Sequence, residues 1–271
     1  MTALLSALDQ QMLEDATRIV AEASKQGVFL RLLGAMGVRI NASKHENLFL
    51  RLNRLNSQQK FTDLDFAAYS AQRNQVRKLF EEFGYEINQN ALLMHGNSRI
   101  LFNQPVKGYS VDVFFDRLHY SHDVLFGQKP ESGRLHLSPL TLSAADLALE
   151  KLQIHEINEK DIKDLIVIFA ANTIEKTDGE NMINAAYIAQ TLADDWEFWY
   201  EATTNLDKVR KFLDRYYSQG LIDGNEQVMV STRLDELRRM IDGQTKSNKW
   251  EKRHKNGPGK KWWRDVEERS R

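Results

Sequence analysis

Three aspartates carry the strongest chemical signal in the chain. Asp63 and Asp65 lie two apart in Thr62-Asp63-Leu64-Asp65-Phe66-Ala67, whose polar–apolar alternation predicts a strand. At that spacing both carboxylates share one face, while Leu64 and Phe66 point the other way, into a core. Asp112 has the same setting, between Val111 and Val113, in a second predicted strand from Tyr109 to Phe115. Carboxylates side by side repel, and a bound divalent cation relieves the repulsion. Mg²⁺ prefers hard oxygen ligands and shares them with substrate phosphates. Three carboxylates around two metal ions suit in-line phosphoryl or nucleotidyl displacement. The plainer reading is that Asp63 and Asp65 face solvent from a half-exposed strand.

These acids need a sheet to hold them. Val28-Phe29-Leu30-Arg31-Leu32-Leu33 is a short apolar run that predicts a buried strand, and it leads into Gly34-Ala35-Met36-Gly37. Glycines after a strand let backbone N–H groups approach a phosphate and open a helix whose N-terminus favours anions. Such turns are also common without a ligand. Residues 2–26 predict a helix ended by Gly27, and Gln72 to Phe83 another, with Val76, Leu79, Phe80 and Phe83 on one face. Arg99 to Phe102 predicts a further strand, and Leu135-His136-Leu137 a short edge strand. Beyond Pro139 the pattern turns helical, over 143–156, 158–171, 181–201, 205–217 and 230–242, with no proline from 140 to 257. The predicted fold class is α+β: a mixed sheet with flanking helices over 1–140, a helical domain over 141–245, and a tail over 246–271.

The 271 residues are 42% hydrophobic and 28% charged, as in a globular protein, and the net charge of −1 gives no global attraction to nucleic acid or membrane. There are no cysteines, which excludes disulfides, thiolate metal sites and Cys nucleophiles. No apolar run is long enough to span a bilayer, and Met1-Thr2-Ala3-Leu4-Leu5 lacks a basic leader, so a cytoplasmic protein is expected. The neutral total hides an asymmetry. From Lys246 to Arg271 there are ten basic and four acidic residues, an excess of six, so residues 1–245 carry seven net negative charges. Trp250, Trp262 and Trp263 lie in this tail. It could bind phosphates by charge and bases by stacking, or its tryptophans could dock on the body of the same molecule.

Leu32-Leu33-Gly34-Ala35, then Asp63-Leu64-Asp65, then Val111-Asp112-Val113, in this order, resemble the nucleotidyltransferase superfamily of the DNA polymerase β type. The bacterial minimal and abortive-infection-toxin types are most similar, because Asp146-Leu147-Ala148-Leu149-Glu150-Lys151-Leu152 and Glu159-Lys160-Asp161-Ile162-Lys163-Asp164-Leu165 follow the third acid. The resemblance covers roughly residues 28–170. It implies that Asp63 and Asp65 hold Mg²⁺ and that Asp112 completes the site as base or second-metal ligand, two ions being bound with NTP. Gly34 and Ala35 would line the triphosphate. Lys151, in the place of the family's helical lysine, would neutralise phosphate or pair with neighbouring acids, and Asp161 and Asp164 would be scaffold residues. Two features depart from the family pattern. Ala35 stands where Gly or Ser is usual, which leaves only the backbone N–H, and the spacing from Gly34 to Asp63 is long. The extra stretch from Asn41 to Gln59 brings Lys44, Arg51 and Arg54, either for the triphosphate or as the exposed face of an inserted helix.

Weaker candidates remain. His119 and His122, near Asp116 and Asp123, could bind a metal or form a polar loop. Trp196, Phe198, Trp199 and Tyr200 read as core or as a stacking wall. The implied activity is transfer of a nucleoside monophosphate from NTP to a hydroxyl of RNA, protein or a small molecule, releasing pyrophosphate, with nucleic-acid contact through the tail conceivable. A rival is a non-catalytic nucleotide-binding or antitoxin-like interaction protein on the same fold. A helix–turn–helix reading of Ala185 to Arg215 is opposed by Asp194, Asp195 and Glu197, which repel phosphate.

Overall fold

The computed structural model describes residues 7–54, 61–104 and 106–266. Leu4 and Leu5 of the first expected helix, and Glu267, Glu268, Arg269 and Arg271 of the tail, lie outside these residues. In chain order the elements are α1 (Ala7–Lys25), β1 (Leu30–Leu33), α2 (Gly34–Asn41), α3 (Glu46–Arg51), β2 (Asp63–Ala68), α4 (Arg73–Glu82), β3 (Glu86–Ile87), α5 (Gln89–His95), β4 (Arg99–Gln104), β5 (Tyr109–Phe115), β6 (Arg117–His119) and β7 (Asp123–Leu125). The helical half follows, with α6 (Ala144–Leu152), α7 (Glu159–Ala171), β8 (Thr173–Glu175), β9 (Met182–Asn184), α8 (Ala185–Asp194), α9 (Trp196–Ser218), α10 (Gly224–Gly243) and α11 (Asn248–His254). The fold class is α+β with a helical C-terminal half. No helix among the described residues is long and apolar enough to cross a membrane.

The chain forms two compact units: 7–41, 61–104, 106–118 and 125–143 make one, and 42–54, 119–124 and 144–266 the other. The first unit is built on a five-stranded sheet in the order β1-β2-β5-β4-β3. It is mixed, because β2 and β5 run parallel while β1–β2, β4–β5 and β3–β4 are antiparallel. Strand alternation divides its faces. Leu32, Phe66, Val113 and Ile100 form one register row, and Leu64, Val111 and Phe102 another, on the apolar side. These residues are buried with Met12, Ala16 and Ile19 of α1 and Val76, Leu79 and Phe80 of α4. A buried polar network joins them: Tyr109 donates to Asp15 at 2.6 Å, Lys107 sits 2.8 Å from the same carboxylate, and the Tyr85 and Tyr109 hydroxyls are 2.9 Å apart. Leu135-His136-Leu137 is a turn, not the edge strand expected; Leu137 N–H donates to Arg134 O, and Leu135 N–H to the Tyr69 hydroxyl. Those bonds satisfy locally what a strand would satisfy laterally.

In the second unit, side-chain caps set the helix starts. Asn158 caps α7, Asn184 caps α8, Ser247 caps α11, and Asp223 with Glu226 forms a capping box on α10. That box starts α10 at Gly224, earlier than the apolar period alone suggested. The expected single helix over 181–201 is instead β9, then α8, then a break at Asp195. Asp195 adopts an extended backbone and accepts from Glu197 N–H and Phe198 N–H. The break expected near 202–204 is absent, and α9 runs through it. Thr203 donates its hydroxyl back to Trp199 O at 2.8 Å and Thr204 to Tyr200 O at 2.7 Å, inside the helix. Arg233 donates to Phe169 O and Ala170 O, both at 2.7 Å, and satisfies the last carbonyls of α7.

Candidate active site

The polar face of the sheet collects the acids. Asp65 of β2 is the register partner of Asp112 of β5, and Asp63 that of Ser110. Adjacent strands lie about 4.8 Å apart, so Asp65 and Asp112 stand side by side on one face, with Asp63 one step along. The flanking residues explain why this face is held so firmly. Leu64, Phe66, Val111 and Val113 are fully buried on the opposite side, and a one-residue slip of either strand would exchange acids for core. Asp112 is buried, whereas Asp63 and Asp65 are half-buried. Thr62 Oγ1 donates to Asp63 Oδ1 at 3.1 Å.

Gly34 follows β1 and begins α2, beside Asp65. Leu33, its neighbour, is the register partner of Asp65. The Gly34 φ is +66°, and a Cβ built there would fall 2.5 Å from Asp65 Oδ2. The backbone therefore passes against the carboxylate at a distance no side chain would permit. Ala35 is half-buried in the first turn of α2, and its methyl group packs against the apolar core. Arg31, also on the polar face, is buried and donates to Ser138 O at 2.5 Å and Leu30 O at 2.8 Å.

The donor chemistry of Asp63, Asp65 and Asp112 is that of a hard-cation site, three carboxylates and no soft ligand. As the side chains stand, no three His, Asp or Glu groups among the described residues gather to hold a metal ion. The strands set the three acids on one face, with Asp65 and Asp112 in register. His119 and His122 likewise form no metal-holding group. His119 Nδ1 lies 2.7 Å from Asp123 Oδ1, and the buried His122 ring stacks on Phe198.

Lys151 belongs to the second unit, on α6, whose nine residues are all buried. Its ammonium lies 2.9 Å from Asp161, 3.3 Å from Glu150 and 3.3 Å from Asp164. Burial by itself would lower the Lys151 pKa, but these three carboxylates outweigh it and hold it well above the ordinary value. Arg54 completes the group with a forked contact to Asp164, at 2.6 and 3.1 Å. Arg54 is therefore buried, neither on an exposed helix face nor free for a triphosphate. The pairing spans 110 residues of sequence, which no local pattern signals. Of the other inserted cations, Arg51 pairs with Glu226 and Lys44 is exposed.

Sequence reasoning missed Glu201 and His155. Glu201 is 2% exposed and accepts from His155 Nδ1 and Trp262 Nε1, each at 2.8 Å. Burial pushes its carboxyl up, yet the His122 imidazole 4.0 Å away and the hydrogen-bonding donors His155 and Trp262 hold it below the usual value. Trp196 and Phe198 are core, while Trp199 and Tyr200 are half-buried and meet Trp250 and Trp262 of the tail. The tail's tryptophans thus dock on the helical unit. Its exposed cations are Lys249, Lys252, Lys255, Lys260, Lys261 and Arg264.

No protein-family model and no curated protein matches the chain. Among solved structures, the solution structure of the antibiotic-resistance factor ANT(2'')-Ia, a nucleotidyltransferase, aligns with a TM-score of 0.36 and 12% identity, over 59% of this chain and 83% of that chain. At that score the likeness carries no argument, and the functional reading rests on the site itself.

Proposed function

We propose that the chain is a nucleotidyltransferase that moves a nucleoside monophosphate from NTP to a hydroxyl of an RNA, protein or small-molecule acceptor. The observation that carries this reading is the in-register pair Asp65–Asp112, with Asp63 beside it, on strands that meet the Gly34 turn. Asp63 and Asp65 would hold Mg²⁺ with the triphosphate, and Asp112 would take the second ion. Bound there, Mg²⁺ would neutralise phosphate charge and acidify the attacking hydroxyl. The chain's own residues do the remainder. Backbone N–H groups at Gly34 and Ala35, opening α2, receive the phosphates. Asp112 accepts the proton of the acceptor hydroxyl as its oxygen bonds to the α-phosphorus. The bond from that phosphorus to the bridging oxygen breaks, and pyrophosphate leaves. Rotation of the three carboxylates about χ1 on fixed strands accompanies NTP binding.

A second reading is favoured by one observation, that the carboxylates are not gathered as they stand. On that reading the chain is a non-catalytic, antitoxin-like interaction protein. Calorimetric titration with each NTP, with and without Mg²⁺, separates the two. The enzyme reading expects Mg²⁺-dependent binding in the wild type, lost in Asp63→Asn with Asp65→Asn, and pyrophosphate release once an acceptor is supplied. Binding of no NTP, or binding unchanged in the double variant, overturns it. Contact of the exposed tail cations with RNA belongs to the same proposal and predicts an affinity that falls steeply with salt.

A further inference from the structure

Beyond the hinge Asn256-Gly257-Pro258-Gly259, the chain lies in a groove of the second unit that reads three successive side chains by three different chemistries. Trp262 gives its indole N–H to the buried Glu201 carboxylate at 2.8 Å and packs edge-on against Tyr200. Trp263 stacks on the His155 ring, 3.9 Å between centroids and 12° from parallel. Arg264 donates to Tyr120 O at 2.9 Å and to the Asp123 carboxylate at 2.5 Å, while its backbone N–H bonds Ser121 O at 3.2 Å. We propose that this groove is a receptor for a Trp-Trp-Arg segment, filled by the chain's own arm, residues 260–266, and exchangeable with the arm of a second copy.

Charge and hinge both support that occupant. Arg264 of the arm meets the Asp123 carboxylate of the groove, while Lys261 pairs with Asp265 inside the arm. Glu201 is 2% exposed, so an indole leaving it would strip a donor from a buried carboxylate. The groove therefore favours an occupied state and discriminates for an N–H-bearing aromatic. The hinge is built to redirect: Gly257 sits at φ +52°, Pro258 and Gly259 follow, and Arg253 holds the bend through Gly257 O and Lys260 O, each at 2.9 Å. An arm from a second copy makes the same contacts as the chain's own. Only hinge strain and association entropy distinguish the two states. The inference is independent of nucleotidyl transfer, since none of these residues belongs to the aspartate site.

The test uses two full-length variants. Trp262→Ala with Arg264→Ala disables the arm and leaves the groove. Glu201→Leu with Asp123→Ala disables the groove and leaves the arm; if that pair fails to fold, His155→Ala with Asp123→Ala, which removes the stacking partner of Trp263 and the carboxylate that meets Arg264, replaces it. The probe is a fluorescein-labelled peptide of residues 258–266. The arm-disabled chain is expected to bind it saturably, the groove-disabled chain not at all, and the wild type at least about tenfold more weakly, because its own arm occupies the groove most of the time. A one-to-one mixture of the two variants is expected to sediment as a heterodimer at concentrations where each alone is monomeric. A folded arm-disabled chain that ignores the peptide overturns the receptor, as does equal binding by all three proteins. A mixture that stays monomeric overturns the second copy as occupant.

Discussion

Lys151→Met separates a structural ammonium from a phosphate-binding one. In the structure two cations, Lys151 and Arg54, meet three carboxylates, Glu150, Asp161 and Asp164. Lys151 is only 6% exposed, so its removal leaves the buried Glu150 and Asp164 and the half-buried Asp161 facing one guanidinium. Breaking a buried ionic group by deleting one partner costs about 3–5 kcal/mol. Met keeps most of the apolar stem, so the cavity contribution stays small. With a denaturant slope of about 2–3 kcal/mol per molar urea for a chain of this size, the midpoint should fall by about 1–2.5 M. Trp196, Trp199, Trp250, Trp262 and Trp263, the only tryptophans in the chain, lie in the helical unit, so indole fluorescence follows the unit that contains Lys151. The pKa of Lys151 is raised, so its contribution is fully present below the ordinary value of 10.5 and is lost only as pH climbs through the higher folded value. A shift below about 0.3 M, well under the cost of a broken buried pair, would refute the reasoning. Such a shift with lost NTP binding would give the ammonium to the phosphates.

Other outcomes follow from the same geometry. Gly34→Ala combines a left-handed backbone, about 1–2 kcal/mol, with a methyl group 2.5 Å from Asp65 Oδ2; NTP binding by calorimetry should disappear while the fold survives by circular dichroism. Asp112→Asn removes the proposed proton acceptor with little change of shape; single-turnover transfer should drop about 10²–10⁴-fold while NTP affinity changes much less. Asp15, Glu159, Asp161 and Glu201 are each pushed up by burial but held below their ordinary values by paired donors. The unfolded chain therefore binds more protons as pH falls below about 4.5, and stability is lost there. Urea midpoints from these groups should hold level from pH 6 to pH 5 and then decline; a steep loss above pH 5 would contradict the assignment.

Much of this protein is legible in its one-dimensional pattern. Alternation around Asp63, Asp65 and Asp112 assigns acids to one face and Leu64, Phe66, Val111 and Val113 to the other, because side chains on a strand reverse direction at every residue. The helical period and an absence of proline mark the C-terminal half in the same way. Caps limit this legibility: Asp195 competes for the backbone of an otherwise unbroken period and divides α8 from α9, and Asp223 with Glu226 moves the start of α10 forward. What tertiary structure alone decided are the long-range meetings. Asp65 and Asp112 become neighbours only because β2 and β5 run parallel in register, and Arg54 reaches Asp164 across 110 residues. The tail's tryptophans, equally suited by composition to stacking on bases, are drawn to Glu201 and His155. Local pattern fixes which face a side chain takes, since that depends on backbone period alone. Which charges face each other depends on chain topology and on burial, where an unpaired ion costs more than any local preference returns.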